Sequence, residues 1–163
     1  MSHLNSTQLL ILKAAIAAET DPQFVTDRTS GATGAMATFF NQPSTFVVRR
    51  TRVLSNEIGP VLNYVAVSSL TTANRDRATT FLMLNPASFN PTADVESYWD
   101  TTFSGALGGQ GQATRDALVA LWRRFATKGE KLFATGAGTS GSPGALGPEG
   151  PITNEEIVLA LAG

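Results

Sequence analysis

The sequence predicts a mainly α protein: a single helical-bundle domain with one long C-terminal helix, followed by an extended Gly/Pro-rich arm and a short apolar C-terminal segment. Three observations carry this. Apolar residues recur at helical spacing in several stretches. The longest such stretch runs from Ala113 to Ala134. Beyond it, Thr135 to Pro151 holds six glycines and three prolines, too many for a helix and too few apolar side chains for a core. The expected division is therefore a helical body, residues 1–134, and an arm with an apolar docking segment, residues 135–163.

In chain order, Ser6 or Thr7 can cap a first helix that carries Leu9, Leu12, Ala15 and Ile16 and stops at Asp21-Pro22. After a polar, Gly-containing stretch, Ala32, Ala35, Met36, Phe39 and Phe40 mark a short amphipathic helix closed by Asn41-Gln42-Pro43. Thr45 to Arg49 is β-branched and aromatic and reads as extended. From Val53 to Ser69 the signals conflict: Ser55 can cap a turn with Glu57 and Ile58, but Gly59-Pro60 ends it at once. Leu70, Ala73, Arg77, Ala78, Phe81 and Leu82 share a stripe ending at Asn85-Pro86. Asn90-Pro91 then signals a helix start, with Val95, Tyr98 and Trp99 on its buried face.

A Gly-rich break, Gly105 to Gly111, precedes the long helix. Ala117, Leu118, Leu121, Trp122, Phe125, Leu132 and Phe133 form its apolar face, and Arg123, Arg124, Lys128 and Lys131 are among its exposed cations. At 1.5 Å per residue it would span roughly 30 Å. Gly129 inside it predicts a kink or a close packing contact. After the arm, Thr153 and Glu156 have capping-box spacing and Ile152 and Ile157 can staple across the cap. The composition predicts that Thr135–Pro151 is mobile and is cut first by proteases.

Apolar residues make up 42% of the chain and charged residues 15%, with a net charge of −1. So little charge leaves a surface that suits burial against neighbouring subunits, or that of a plain Ala/Thr-rich bacterial domain. The charge balance gives no global drive toward nucleic acid or membrane. The run from Leu9 to Ala18 contains Lys13 and is far short of the roughly 20 residues of a membrane span.

Catalytic chemistry has few candidates. Cysteine is absent and His3, near the N-terminus, is the sole histidine, which removes thiolate, triad and imidazole-metal schemes from the fold interior. Gly136 to Gly141 spells G-x-G-x-x-G, but follows a helix end instead of joining a strand to a helix N-terminus. Asp94, Glu96 and Asp100 are close enough in sequence to suggest a metal site, yet residues two apart do not share a helix face, and compensation of the helix dipole near its start explains Asp94 and Glu96 better. No catalytic, cofactor or metal residue is expected, and the chain reads as a non-enzyme. Two basic clusters, Arg49-Arg50-Arg52 and Arg123-Arg124-Lys128-Lys131, are either solvated faces or contacts for an acidic partner or DNA.

The block Trp122–Thr139 with Gly147–Pro151, the segment Leu12–Ile16 with Asp21-Pro22, and Phe46–Thr51 together resemble small proteins of the virion structural modules of tailed bacteriophages. The resemblance spans most of the chain, is firmest at Lys131–Gly138, and departs from that pattern between Asn56 and Arg77. It carries no catalytic motif. The resemblance implies a virion structural protein; chain size, helical content and a C-terminal arm with an apolar end extend that to a head–tail connector (adaptor): a homo-oligomeric ring between the portal protein and a tail or terminator protein, in the neck of a virion and made in the host bacterial cytoplasm. On that reading the partner-binding residues are Ile152, Ile157, Leu159 and Leu161 on the arm, which at about seventeen residues reaches some 50 Å, and Arg123, Arg124, Lys128 and Lys131, with transient contact to packaged DNA. The alternatives are a capsid-decorating or tail-terminator protein, and a soluble DNA-binding or regulatory module; no basic recognition helix follows a tight turn to favour the last.

Overall fold

The computed structural model describes residues 3–103 and 108–163. The chain is mainly α, with ten α-helices and two small two-stranded sheets among these residues. It divides into two compact units: the first comprises the chain through Val48 plus Phe125–Gly163, the second Arg49–Arg124. Each has its own core. The expected boundary at residue 134 is not where the structure divides, because residues 135–163 belong to the first unit.

The first unit begins with α1 (Ser6–Ala18), capped by Asn5 in a reciprocal box with Gln8. Asp21-Pro22, expected only to end that helix, also starts α2 (Pro22–Ser30): the Asp21 carboxylate accepts from Phe24 N–H at 3.0 Å, and Pro22 sits where a missing N–H is harmless. The helix α3 (Thr33–Phe40) buries Met36, Ala37 and Phe40 as its spacing predicts. Phe24, Phe39 and Phe40 form an aromatic triad with centroids 4.7 to 5.7 Å apart. The strand β1 (Pro43–Arg49) follows.

The expected long helix is three elements. The helix α8 (Gly108–Leu121) ends before Trp122, β4 (Arg123–Thr127) pairs with β1, and α9 (Lys128–Phe133) follows. Thr127 restarts the helix by capping Glu130 N–H at 3.1 Å, while the Glu130 carboxylate accepts Thr127 N–H at 2.9 Å. That Thr-x-x-Glu box was legible in the sequence but lay inside an uninterrupted apolar stripe. The expected contact at Gly129 is present: a Cβ there would lie 2.5 Å from Ile152 Cγ1.

The Gly/Pro segment is not a free arm. Val47 N–H donates to Gly138 O and Gly144 N–H donates to Val47 O, each at 2.8 Å, so the segment lies along β1. Thr135 and Ala145 exchange two backbone bonds of 2.9 Å that close the loop between them. Glycine is required here by contact. A Cβ on Gly138, whose φ is +65°, would enter the Phe46 ring, and one on Gly144 would sit 2.7 Å from Thr135 O. These bonds correct the expectation of a mobile segment: backbone pairing supplies the order that side-chain burial does not. Gly138→Val should therefore lower stability by about 2 kcal/mol or more, from ring overlap and a strained positive φ. A chemical-denaturation midpoint equal to that of the wild type would refute this.

The C-terminal helix α10 (Asn154–Ala162) starts at the Thr153–Glu156 capping box, as its spacing predicts. It packs on α1 and α3. Ile152, Ile157 and Ala160 belong to the first unit's core with Leu12, Ile16 and Met36. The Asn41 side-chain amide brackets Ile152, accepting its N–H and donating to its carbonyl, both at 2.8 Å. Glu156 is fully buried, and its carboxylate accepts N–H bonds from His3 (2.9 Å), Leu4 (3.3 Å) and Thr153 (2.9 Å), with His3 Nδ1 at 2.7 Å. The lone histidine is thus a structural partner of a buried acid.

The second unit holds the segment whose signals conflict. Val53–Leu54 forms β2, antiparallel to β3 (Ser88–Phe89), and is followed by α4 (Ser55–Ile58), a 3-10 turn (Gly59–Val61) and α5 (Tyr64–Ser68). The helix α6 (Thr72–Leu84) lies at the periphery with no fully buried residue. The helix α7 (Ala93–Phe103) starts later than Asn90-Pro91 suggests, Thr92 Oγ1 accepting Val95 N–H at 3.4 Å. Trp99 and Trp122 are buried with Phe89, Phe103 and Leu118, and Trp99 stacks on Phe103 at 5.7 Å. Of the expected Gly-rich break, residues 105–107 lie outside the described residues, and Gly108–Gly111 begin α8.

Candidate interaction surface

The partner-binding residues expected from sequence fall into three groups. Ile152 and Ile157 are core residues, 2% and 0% exposed, so they fill the protein's own interior and are not a plug for a neighbour. The physical reason is the ordered return of the Gly/Pro segment, which brings α10 back onto α1 and α3. Leu159 and Leu161 are exposed, 40% and 43%, and remain available.

The basic face expected on one helix is split between β4 and α9. Arg123 and Arg124 belong to the second unit, Lys128 and Lys131 to the first. Arg123 Nε reaches Glu96 Oε1 at 3.3 Å, and Arg49 Nη2 reaches Glu96 Oε2 at 3.0 Å. Arg50 donates through both terminal nitrogens to Glu57, at 3.0 and 3.1 Å. That pair, helped by Leu54 N–H at 2.7 Å, holds the Glu57 carboxyl below its ordinary range. Three arginines proposed from sequence for an acidic partner or DNA are thus already on carboxylates of their own unit. Glu96, read as dipole compensation, is the buried anion that binds two of them.

Lys128 and Lys131 differ. Both line a groove of about 620 Å³ in the first unit, between the C-terminal ends of α1 and α3, the start of β1, and α9. Its floor is apolar: Phe39, Phe40, Pro43 and Leu132. The Lys128 ammonium lies 3.5 Å from the Phe39 ring centroid and donates to Gln42 Oε1 at 2.9 Å. Neither lysine has a carboxylate partner among the described residues. The nearest acid of the lining, Glu19, accepts from Thr20 and Asp21 N–H at 2.8 and 3.0 Å. The groove therefore combines apolar contact with two cations, the chemistry of a site for an acidic, apolar peptide segment.

A second surface lies toward the N-terminal end of α1. Leu9 and Leu10 with Leu159 and Ala160 line a shallow apolar depression of about 210 Å³. Val158 and Leu161 extend the exposed apolar face of α10. Sequence periodicity puts Leu9 on a buried face and does not single out Leu10, while Val158 reads as part of the apolar C-terminal segment Ile157–Leu161. The signal for Leu10 is the α1 run Leu9-Leu10-Ile11-Leu12, which exceeds what one packed face can bury.

Among the described residues no group of three or more His, Asp or Glu side chains converges on a point. No helix among them is long and apolar enough to cross a membrane. No family model matches the sequence, and no curated protein or solved structure matches the chain.

Proposed function

We propose that the chain is a non-enzymatic structural protein that assembles with copies of itself into a ring, as the head–tail connector (adaptor) of a tailed-phage particle. Its neighbours would be the portal protein and a tail or terminator protein, and its location the neck of the virion. The observation that carries the reading is the amount of large apolar side chain left outside. In the first unit Leu10, Ile11, Val158, Leu159 and Leu161 are all exposed; in the second, Tyr64 and Val65 are exposed, as are Met83 and Leu84 at 75% and 76%. Such groups on a surface poor in charge suit burial by neighbours. The resemblance of the Trp122–Thr139 block supplies the phage context.

A soluble DNA-binding module finds less support, since Arg49, Arg50 and Arg123 are engaged by carboxylates. The test has two parts. Analytical ultracentrifugation of the purified protein should give a discrete closed oligomer, and a monomer at every concentration would sink the ring. Cryo-electron microscopy of the particle should place the chain on the tail axis. Density on the capsid lattice would replace the connector with a capsid-decorating protein.

A further inference from the structure

We propose that the ring contact is head-to-tail within the first unit: the exposed face of α10 on one copy seats in the Lys128/Lys131 groove of the next. The inference rests on the self-assembly reading above and names its contact. The exposed stripe of α10 consists of Glu155, Val158, Leu159 and Ala162, spaced i, i+3, i+4 and i+7, hence on one helical face. Its inner face, Glu156, Ile157 and Ala160, is buried in the copy's own core. The stripe is thus a helix held rigidly from behind, with an acid at its N-terminal end and two branched aliphatic side chains after it.

The groove offers the complement. Phe39 and Leu132 supply apolar floor, and Lys128 and Lys131 supply cations lacking a carboxylate of their own. With Val158 and Leu159 against that floor, the Glu155 carboxylate meets the lysines, and an amphipathic helix in an apolar groove is an established mode of recognition. The two surfaces do not overlap. The groove uses Ala15 and Glu19 of α1, whereas α10 flanks Leu9 and Leu10 near the other end of that helix. α1 has 13 residues and spans about 20 Å. A copy therefore carries knob and groove at separate places, which makes the contact heterologous, the kind that closes into rings.

The test uses the full-length protein, sedimentation at fixed concentration, and a melt of each variant to confirm folding. Lys131→Glu and Val158→Asp, both at exposed positions, should each weaken self-association by about tenfold or more while leaving the melt intact. Adding Glu155→Lys to Lys131→Glu should restore the oligomer. Mixing the Lys131→Glu and Val158→Asp proteins should give one-to-one pairs and nothing larger, because one knob and one groove remain intact. Unaltered oligomers in both single variants would overturn this contact and leave the ring standing. A monomeric wild type would overturn both.

Discussion

Removing Ile152–Gly163 should unfold the first unit while leaving the second folded. The deletion takes away Ile152, Ile157 and Ala160 from a core that otherwise consists of Leu4, α1, Phe24 and α3. Large-to-small changes at fully buried aliphatic positions cost about 2–5 kcal/mol each. The deletion also removes the Glu156 carboxylate, the acceptor for the N–H groups of His3 and Leu4. Together these losses reach the whole stability of an ordinary domain, about 5–15 kcal/mol. The two units can be read separately, because Trp99 and Trp122 are the chain's only tryptophans and both belong to the second. Far-ultraviolet dichroism should lose the helical signal of α1, α2 and α3, while tryptophan emission stays that of buried indoles. Ile157→Ala alone should cost about 2–5 kcal/mol. A truncated protein that melts like the full chain would show that α10 is dispensable to the core.

In the second unit the largest single-residue effect is expected at Glu96. Its side chain is 10% exposed and bridges Arg49 and Arg123, whose side chains are 28% and 18% exposed. Glu96→Ala takes from both guanidiniums the carboxylate they share in a partly water-excluded site. Breaking one side of a buried pair costs about 3–5 kcal/mol; partial exposure of the arginines places the expected loss near the lower end, at about 3 kcal/mol. Glu96→Gln keeps an acceptor of the same shape and should cost less. The residue lies three positions before Trp99, so a urea titration followed by tryptophan emission reports the change directly. An unchanged midpoint in Glu96→Ala would show that solvent already screens the bridge.

What was legible in the sequence follows from local rules. The helical class, the α3 stripe, the extended Thr45–Arg49 segment and the Thr153–Glu156 cap each depend on residues within one or two turns, and each is present. The tight contact at Gly129 was also legible, because a glycine costs a helix enough to need a reason. Local signals that point two ways were read one way. Asp21-Pro22 ends one helix and caps the next, and Thr127-x-x-Glu130 restarts a helix within a run of apolar spacing.

Lys128 and Lys131 were legible as exposed cations of a basic cluster but not as the rim of a groove, because Phe39, Phe40 and Pro43 reach them from more than eighty positions earlier. The break at Trp122 is likewise non-local: an apolar stripe of period 3.6 continues through β4, and only pairing with β1 makes Arg123–Thr127 extended. The Gly/Pro segment is the clearest case. Composition shows that it has little to bury, and composition is silent on backbone partners. Its order comes from hydrogen bonds to Val47 and from glycines that let the chain pass over Phe46. The sequence by itself determined the helical class, the α3 stripe and the Thr153–Glu156 cap, because those are settled by neighbours along the chain. Only the tertiary structure decided that the last helix is core on one face and open on the other, because a core is assembled from residues far apart in sequence.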